Sequence, residues 1–121
     1  MANAPSILLV EDEPALMDAL ERIIAAQGWK VAATVATVSA GIEFVSNRDC
    51  DAAIVDANLR GQCSKELVTE LLRRKIPLVV VSGYNASNRG GLWDEVTCIL
   101  KPFDESELIS VVSNLLKQSM Q

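Results

Sequence analysis

Three short stretches, ILLV at 7–10, AAIV at 52–55 and PLVVV at 77–81, are apolar without interruption, and each stops at a polar side chain: Glu11, Asp56 and Ser82. Such runs read as strands buried on both faces. Between the first two, Leu16, Leu20, Ile23 and Ile24 recur at helical spacing up to Gly28, with Pro14 suited to the first turn and Gly28 just past the last. Lys30 to Val35 is a weaker strand, and Val38, Ile42 and Val45 mark a second helix. Ala57 to Cys63 reads as a loop. Leu67, Val68, Leu71 and Leu72 form the stripe of a third helix, with Ser64 expected as its cap. Thr97 to Leu100 is a fifth strand. The last helix starts after Asp104, with Asp104 and Glu107 as a capping pair and Leu108, Val111, Val112, Leu115 and Leu116 on one face. Strands alternating with helices predict an α/β fold, a doubly wound parallel sheet, whose ligand site lies beyond the carboxyl ends of the strands.

The chain has 121 residues, half of them hydrophobic, which suits one compact domain. Its 11 basic and 16 acidic residues leave a net charge of −5 and no basic face for a phosphate backbone, so nucleic acid is not an expected partner. The one basic run, Arg73-Arg74-Lys75, complements a helix dipole. Cys50, Cys63 and Cys98 fit neither a disulfide framework nor a metal-binding spacing, and suit reduced thiols. No signal peptide and no apolar run of about 18 residues is present, so the expected protein is soluble, cytoplasmic and not membrane-bound. It also contains no histidine, so any phosphohistidine must come from a partner.

The polar residues at the strand ends form a chemical set. Glu11 and Asp12 follow the first strand, Asp56 the third, Ser82 the fourth, and Lys101-Pro102 the fifth. Taken singly they are unremarkable: acidic residues suit a helix N-terminus, a serine can end a strand, and a lysine can be solvated. Jointly they place three carboxylates, a hydroxyl and an ammonium at one crevice. Crowded carboxylates with no His or Cys suit Mg²⁺. Asp56 is then a nucleophile toward a phosphoryl group, with Lys101 neutralising its oxygens and Ser82 able to turn toward one of them.

The stretches ILLVEDEP, DAAIVDANLRG, LVVVSGY and ILKPF, in this order and spacing over nearly the whole chain, resemble the receiver domains of two-component response regulators. The resemblance implies a five-stranded sheet of flavodoxin-like order 2-1-3-4-5. It implies that Asp56 is the phosphoacceptor, that Glu11 and Asp12 form the acidic pair around Mg²⁺, and that Asn58 offers the metal a backbone carbonyl. Ser82 is then the switch hydroxyl, and Lys101 contacts the phosphoryl group before a cis Pro102.

Two features depart from that pattern. Receivers usually carry a gating aromatic shortly before the Lys-Pro, where this chain has Cys98; Tyr84 is then a substitute for part of that gating, or an ordinary loop aromatic. Gly83 to Val96, where a fourth helix is usual, holds Asn85, Ser87, Asn88, Gly90 and Gly91, which disfavour one, so a short helix or a loop is expected. In it Trp93 is either a loop anchor or a partner contact, the latter within an interaction surface that includes Pro102 and Phe103. The subgroup most similar is that of single-domain receivers with an irregular or missing fourth helix.

The expected function is a phosphoryl-accepting switch in a two-component phosphorelay, charged by a histidine kinase or histidine phosphotransfer protein and signalling by protein contact or onward transfer. It promotes only its own phosphorylation and dephosphorylation, and is otherwise not an enzyme. Few residues follow the last helix, so residues 1–121 are expected to be a single receiver without an output domain. The alternatives are a constitutive interaction module with a vestigial acidic site, a receiver excised from a hybrid histidine kinase, and, least supported, a small-molecule phosphohydrolase, which would need an enclosing lid.

Overall fold

A computed structural model describes residues 4–83 and 95–119. The expectations for Tyr84, Trp93 and the body of the fourth crossover lie outside the described residues. The elements are β1 Ser6–Val10, α1 Pro14–Ala26, β2 Lys30–Val35, α2 Val38–Asn47, β3 Ala52–Asp56, β4 Asn58–Leu59, β5 Gln62–Cys63, α3 Lys65–Arg73, β6 Leu78–Ser82, β7 Thr97–Leu100 and α4 Glu105–Ser119. Five strands form one parallel sheet in the order β2-β1-β3-β6-β7, the doubly wound, flavodoxin-like order expected.

The apolar runs are continuous because both faces of the central strands are covered. Ile7, Leu9, Ile54, Val79 and Val81 join one cluster with Leu20 and Ile24 of α1 and Leu108, Val112 and Leu115 of α4. Leu8, Val10, Val55, Leu78 and Val80 join the other with Val38 and Val45 of α2 and Leu67, Val68 and Leu71 of α3. The two-residue period of each strand thus assigns alternate residues to opposite helix layers. Carried past the strand ends, that parity places Glu11, Asp56 and Lys101 on the α1/α4 side and Ser82 on the α2/α3 side.

Helix ends follow local chemistry in part. Pro14 opens α1, and Gly28 closes it at φ +81, with Gly28 N–H donating to Ala25 O at 3.0 Å and Trp29 N–H to Ile24 O at 3.2 Å, a Schellman pair. Thr37 caps α2 by accepting from Ala40 N–H at 3.1 Å. Ser64 departs from expectation. It occupies the N-cap position of α3, but its side chain makes no cap hydrogen bond; Oγ is buried and, among the described residues, unpartnered. Its φ of −85° and ψ of 14° lie outside the extended conformation that turns a capping hydroxyl back over the first turn.

Helices α2 and α3 approach closely at Gly41 of α2, where an added Cβ would lie 2.6 Å from Leu67 Cδ2 of α3. Gly41→Val is therefore expected to lower stability by about 1–3 kcal/mol through overpacking. Ser64→Ala, which removes a buried hydroxyl lacking a partner, should raise it by about 1 kcal/mol. Urea unfolding of the two variants and the parent checks both signs.

Candidate functional site

Parallel register brings the carboxyl ends of β1, β3, β6 and β7 to one level. Beyond the strands the register continues through single backbone bonds: Glu11 N–H to Val35 O at 3.0 Å, Ala57 N–H to Val81 O at 2.9 Å, and Lys101 N–H to Ser82 O at 2.8 Å. These bonds fix where each polar side chain departs from the sheet. Glu11, Asp12 and Asp56 consequently converge, each with a carboxylate oxygen within 4.8 Å of one from the others. Glu11 and Asp56 are only 3% and 5% exposed.

Lys101 reaches into this group from the end of β7. Its Nζ lies 2.6 Å from Asp56 Oδ2 and 3.6 Å from Glu11 Oε1. The Lys101–Pro102 peptide is cis, as the resemblance implied. Three carboxylates against one ammonium leave two uncompensated negative charges when all are ionised.

Each carboxylate also commits one oxygen to a nearby backbone N–H. Glu11 Oε2 accepts from Glu13 at 3.0 Å, Asp56 Oδ1 from Asn58 at 3.0 Å, and Asp12 Oδ2 from Arg60 at 2.9 Å. The other oxygens of Glu11 and Asp56, Oε1 and Oδ2, face Lys101 in the crevice. This all-oxygen donor set, crowded and short of positive charge, fits a hard divalent cation.

Residues 57–63, expected as a loop, instead contain a two-residue hairpin. Asn58 pairs with Cys63 and Leu59 with Gln62, antiparallel, around Arg60 at φ 52 and Gly61 at φ 82. Positive φ at both central positions defines a type I′ turn. Gly61 tolerates it; Arg60, with a Cβ, does so at a cost of about 1–2 kcal/mol. Leu59, buried in the α2/α3 cluster, anchors the hairpin, and Asn58 Oδ1 accepts from Gly61 N–H at 2.9 Å. Within the segment only Gly61 signalled a turn in the sequence. The roles of the Arg60 and Glu13 amides were hidden because a backbone donor is the same whatever the residue.

The other expected site residues fall as follows. Ser82 is at the last position of β6, and its Oγ is buried and unpartnered among the described residues. Cys98 is half-buried against the α2/α3 cluster, its thiol donating to Val96 O at 3.7 Å. Pro102 is exposed, whereas Phe103 is half-buried against the α1/α4 cluster.

Charge balance in the crevice is visible in the ionisation of its members. Burial pushes Glu11 up to about 7, reinforced by its hydrogen bond and charge interaction with Asp56 and opposed by Glu13 N–H and Lys101. Burial also acts upward on Asp12, but the Arg60 N–H, Glu11 and its own amide outweigh it and hold Asp12 below the usual range. Burial disfavours the Lys101 ammonium, yet Asp56 and then Glu11 more than offset this and keep it charged above its ordinary range.

The response regulator receiver domain model matches residues 7–113, and the chain belongs to that family, the receiver domains of two-component signalling. The solution structure of SdrG from Sphingomonas melonis Fr1 is similar at a TM-score of 0.82 and 31% identity, covering 96% of this chain and 99% of that one. The Erythrobacter litoralis PhyR receiver domain shares the fold at a TM-score of 0.79 and 23% identity, over 95% of this chain and 92% of that one. So does the receiver domain of the sensor histidine kinase PA1611 from Pseudomonas aeruginosa PAO1, described with magnesium coordinated in its active-site cleft, at a TM-score of 0.82 and 22% identity, over 94% of this chain and 98% of that one. No curated protein matches the chain. Among the described residues no helix is long and apolar enough to cross a membrane.

In metal-free buffer the raised Glu11 gives stability a definite pH dependence. The folded chain holds a proton on Glu11 up to about 7, whereas the unfolded chain releases it near 4.5. This contribution is therefore complete below pH 4.5 and is lost as pH rises through 7. Glu11→Gln is expected to remove that decline, unfolding several degrees higher than the parent at pH 8 and nearly with it at pH 4. Thermal melts in EDTA across this range check the slope.

Proposed function

We propose that this receiver is a phosphoryl-accepting switch in which Asp56 takes a phosphoryl group from a phosphohistidine of a histidine kinase or phosphotransfer protein. One observation carries the reading: a nearly buried Asp56 carboxylate at the end of a central strand, with Lys101 at 2.6 Å and two further carboxylates beside it. An Asp56 oxygen attacks phosphorus as the P–N bond to the imidazole breaks, and the departing nitrogen keeps the electron pair. Lys101 moves its charge from the carboxylate to the phosphoryl oxygens. Ser82, whose hydroxyl is without a partner among the described residues, donates to one of those oxygens. Glu11, Asp12, Asp56 and the Asn58 backbone carbonyl would hold Mg²⁺, which would supply positive charge against the phosphoryl oxygens; the magnesium described in the PA1611 receiver supports this. The presence of all five side chains supports a working site over a vestigial one.

The partner's approach is suggested by a groove of about 620 Å³ beside the crevice. Leu16, Ala19 and Ile23 of α1 line it with Pro102 and Phe103, and Lys101, Glu13 and Glu105 add charged groups. Its mostly apolar lining with two carboxylates suits a histidine-bearing amphipathic helix with basic flanks. In this reading the receiver signals by protein contact or onward transfer.

Incubated with Mg²⁺ and a small phosphodonor, the chain should gain one labile phosphate by intact mass, absent in Asp56→Asn. No adduct with any donor, including a phosphorylated kinase, would overturn the proposal. For the groove, Ala19→Trp should slow labelling by the kinase tenfold or so relative to labelling by the small donor, since steric exclusion affects only the macromolecular donor.

A further inference from the structure

Asp12 is the most exposed of the three crevice carboxylates. It sits beyond the end of β1, half-buried, on no regular element. Besides Glu11 and its own amide, it is held from across the fold, where Arg60 N–H, 48 positions away in sequence, donates to Oδ2 at 2.9 Å. Arg60 stands at the first central position of the hairpin turn, at φ 52.

The hairpin is itself referenced to Asp56. Asn58 N–H donates to Asp56 Oδ1 at 3.0 Å, so the amides at the two ends of the extended pair Asn58–Leu59, those of Asn58 and Arg60, each hold a crevice carboxylate. One short segment thus holds Asp56 with one amide and Asp12 with the next but one. The separation of the two carboxylates is set by the backbone repeat, and the buried Leu59 between those amides fixes the segment to the core.

Resting on the cation-dependent reading above, we propose that the Arg60-Gly61 turn is a positioning device for Asp12, holding its carboxylate at a set distance from Asp56 so that both engage one divalent cation. Arg60 acts through its backbone amide and Gly61 through its tolerance of positive φ. Neither side chain is required to touch the cation. The left-handed strain at Arg60 is maintained by the Asp12 hydrogen bond and the Leu59 anchor, which places the turn's conformation under the control of the site it supports.

The test is Mg²⁺ binding by the full chain without phosphodonor, measured by calorimetry. Gly61→Val, a β-branched residue at φ 82, should weaken Mg²⁺ binding about tenfold or more while amide spectra keep native dispersion. Gly61→Asn, which tolerates this conformation, should restore binding close to that of the parent. Equal binding by parent and a folded Gly61→Val overturns the inference alone. A parent chain that binds no Mg²⁺ overturns the cation reading and the inference with it. Should Gly61→Val not fold, the Arg60 amide decides: Asp12→Ala should move its resonance in metal-free buffer, and an unmoved resonance overturns the inference.

Discussion

Everything in this receiver depends on holding three carboxylates and one ammonium at the rim of a sheet. Like charges this close repel, and more so where water is largely excluded. Lys101 neutralises one charge by direct contact with Asp56, and a proton on Glu11 offsets another near neutrality. The remainder is opposed by rigidity. Each carboxylate is tied to a backbone N–H, and each of those amides belongs to a segment anchored in the sheet, a helix start or the hairpin. The result is a site that favours added positive charge and whose ligands are already separated at short range.

The sheet accomplishes this by parity. Alternate residues of a strand face opposite helix layers, so the two layers have different duties. The α1/α4 layer shares its side with Glu11, Asp56 and Lys101, and the groove between α1 and the start of α4 opens there. The α2/α3 layer shares its side with Ser82 and with Cys98, which packs against Val80 and its neighbours. The carboxylates, the ammonium and the groove occupy one side, while the Ser82 hydroxyl, without a partner among the described residues, lies toward the other. Asp56 is also tied to the second layer through Asn58 N–H and the buried Leu59 beside it.

Cys98 bears on how that transmission differs from the family pattern. The residue packs into the α2/α3 cluster with a small, polarisable side chain, and its thiol is directed to the Val96 carbonyl. A side chain of this size fills its place without the swing available to a ring. Ser82 on the adjacent strand, paired in register with Leu100, is therefore coupled to its neighbours by packing and by the Lys101 N–H to Ser82 O bond.

The amino-acid sequence by itself determined the element order, the layer pattern and the identity of the converging side chains. Buried strands in a parallel sheet must be apolar throughout, and a polar residue can appear only where the strand ends, so Glu11, Asp56, Ser82 and Lys101 marked the rim unaided. Gly28 and Pro14 marked helix ends because their backbone preferences are local. What the tertiary structure decided was everything carried by backbone amides and by long-range contact. The hairpin at 58–63 has too few residues for a periodic signal, and its turn places an arginine where sequence rules would ask for glycine, asparagine or aspartate. Ser64 resembled a cap by residue type, yet its backbone angles forbid it. The bond from Arg60 to Asp12 spans 48 positions between an atom common to every residue but proline and one of sixteen acidic side chains. No pattern in a single chain encodes that pairing; only the packing of Leu59 and the register of β3 beside β1 bring the two within reach.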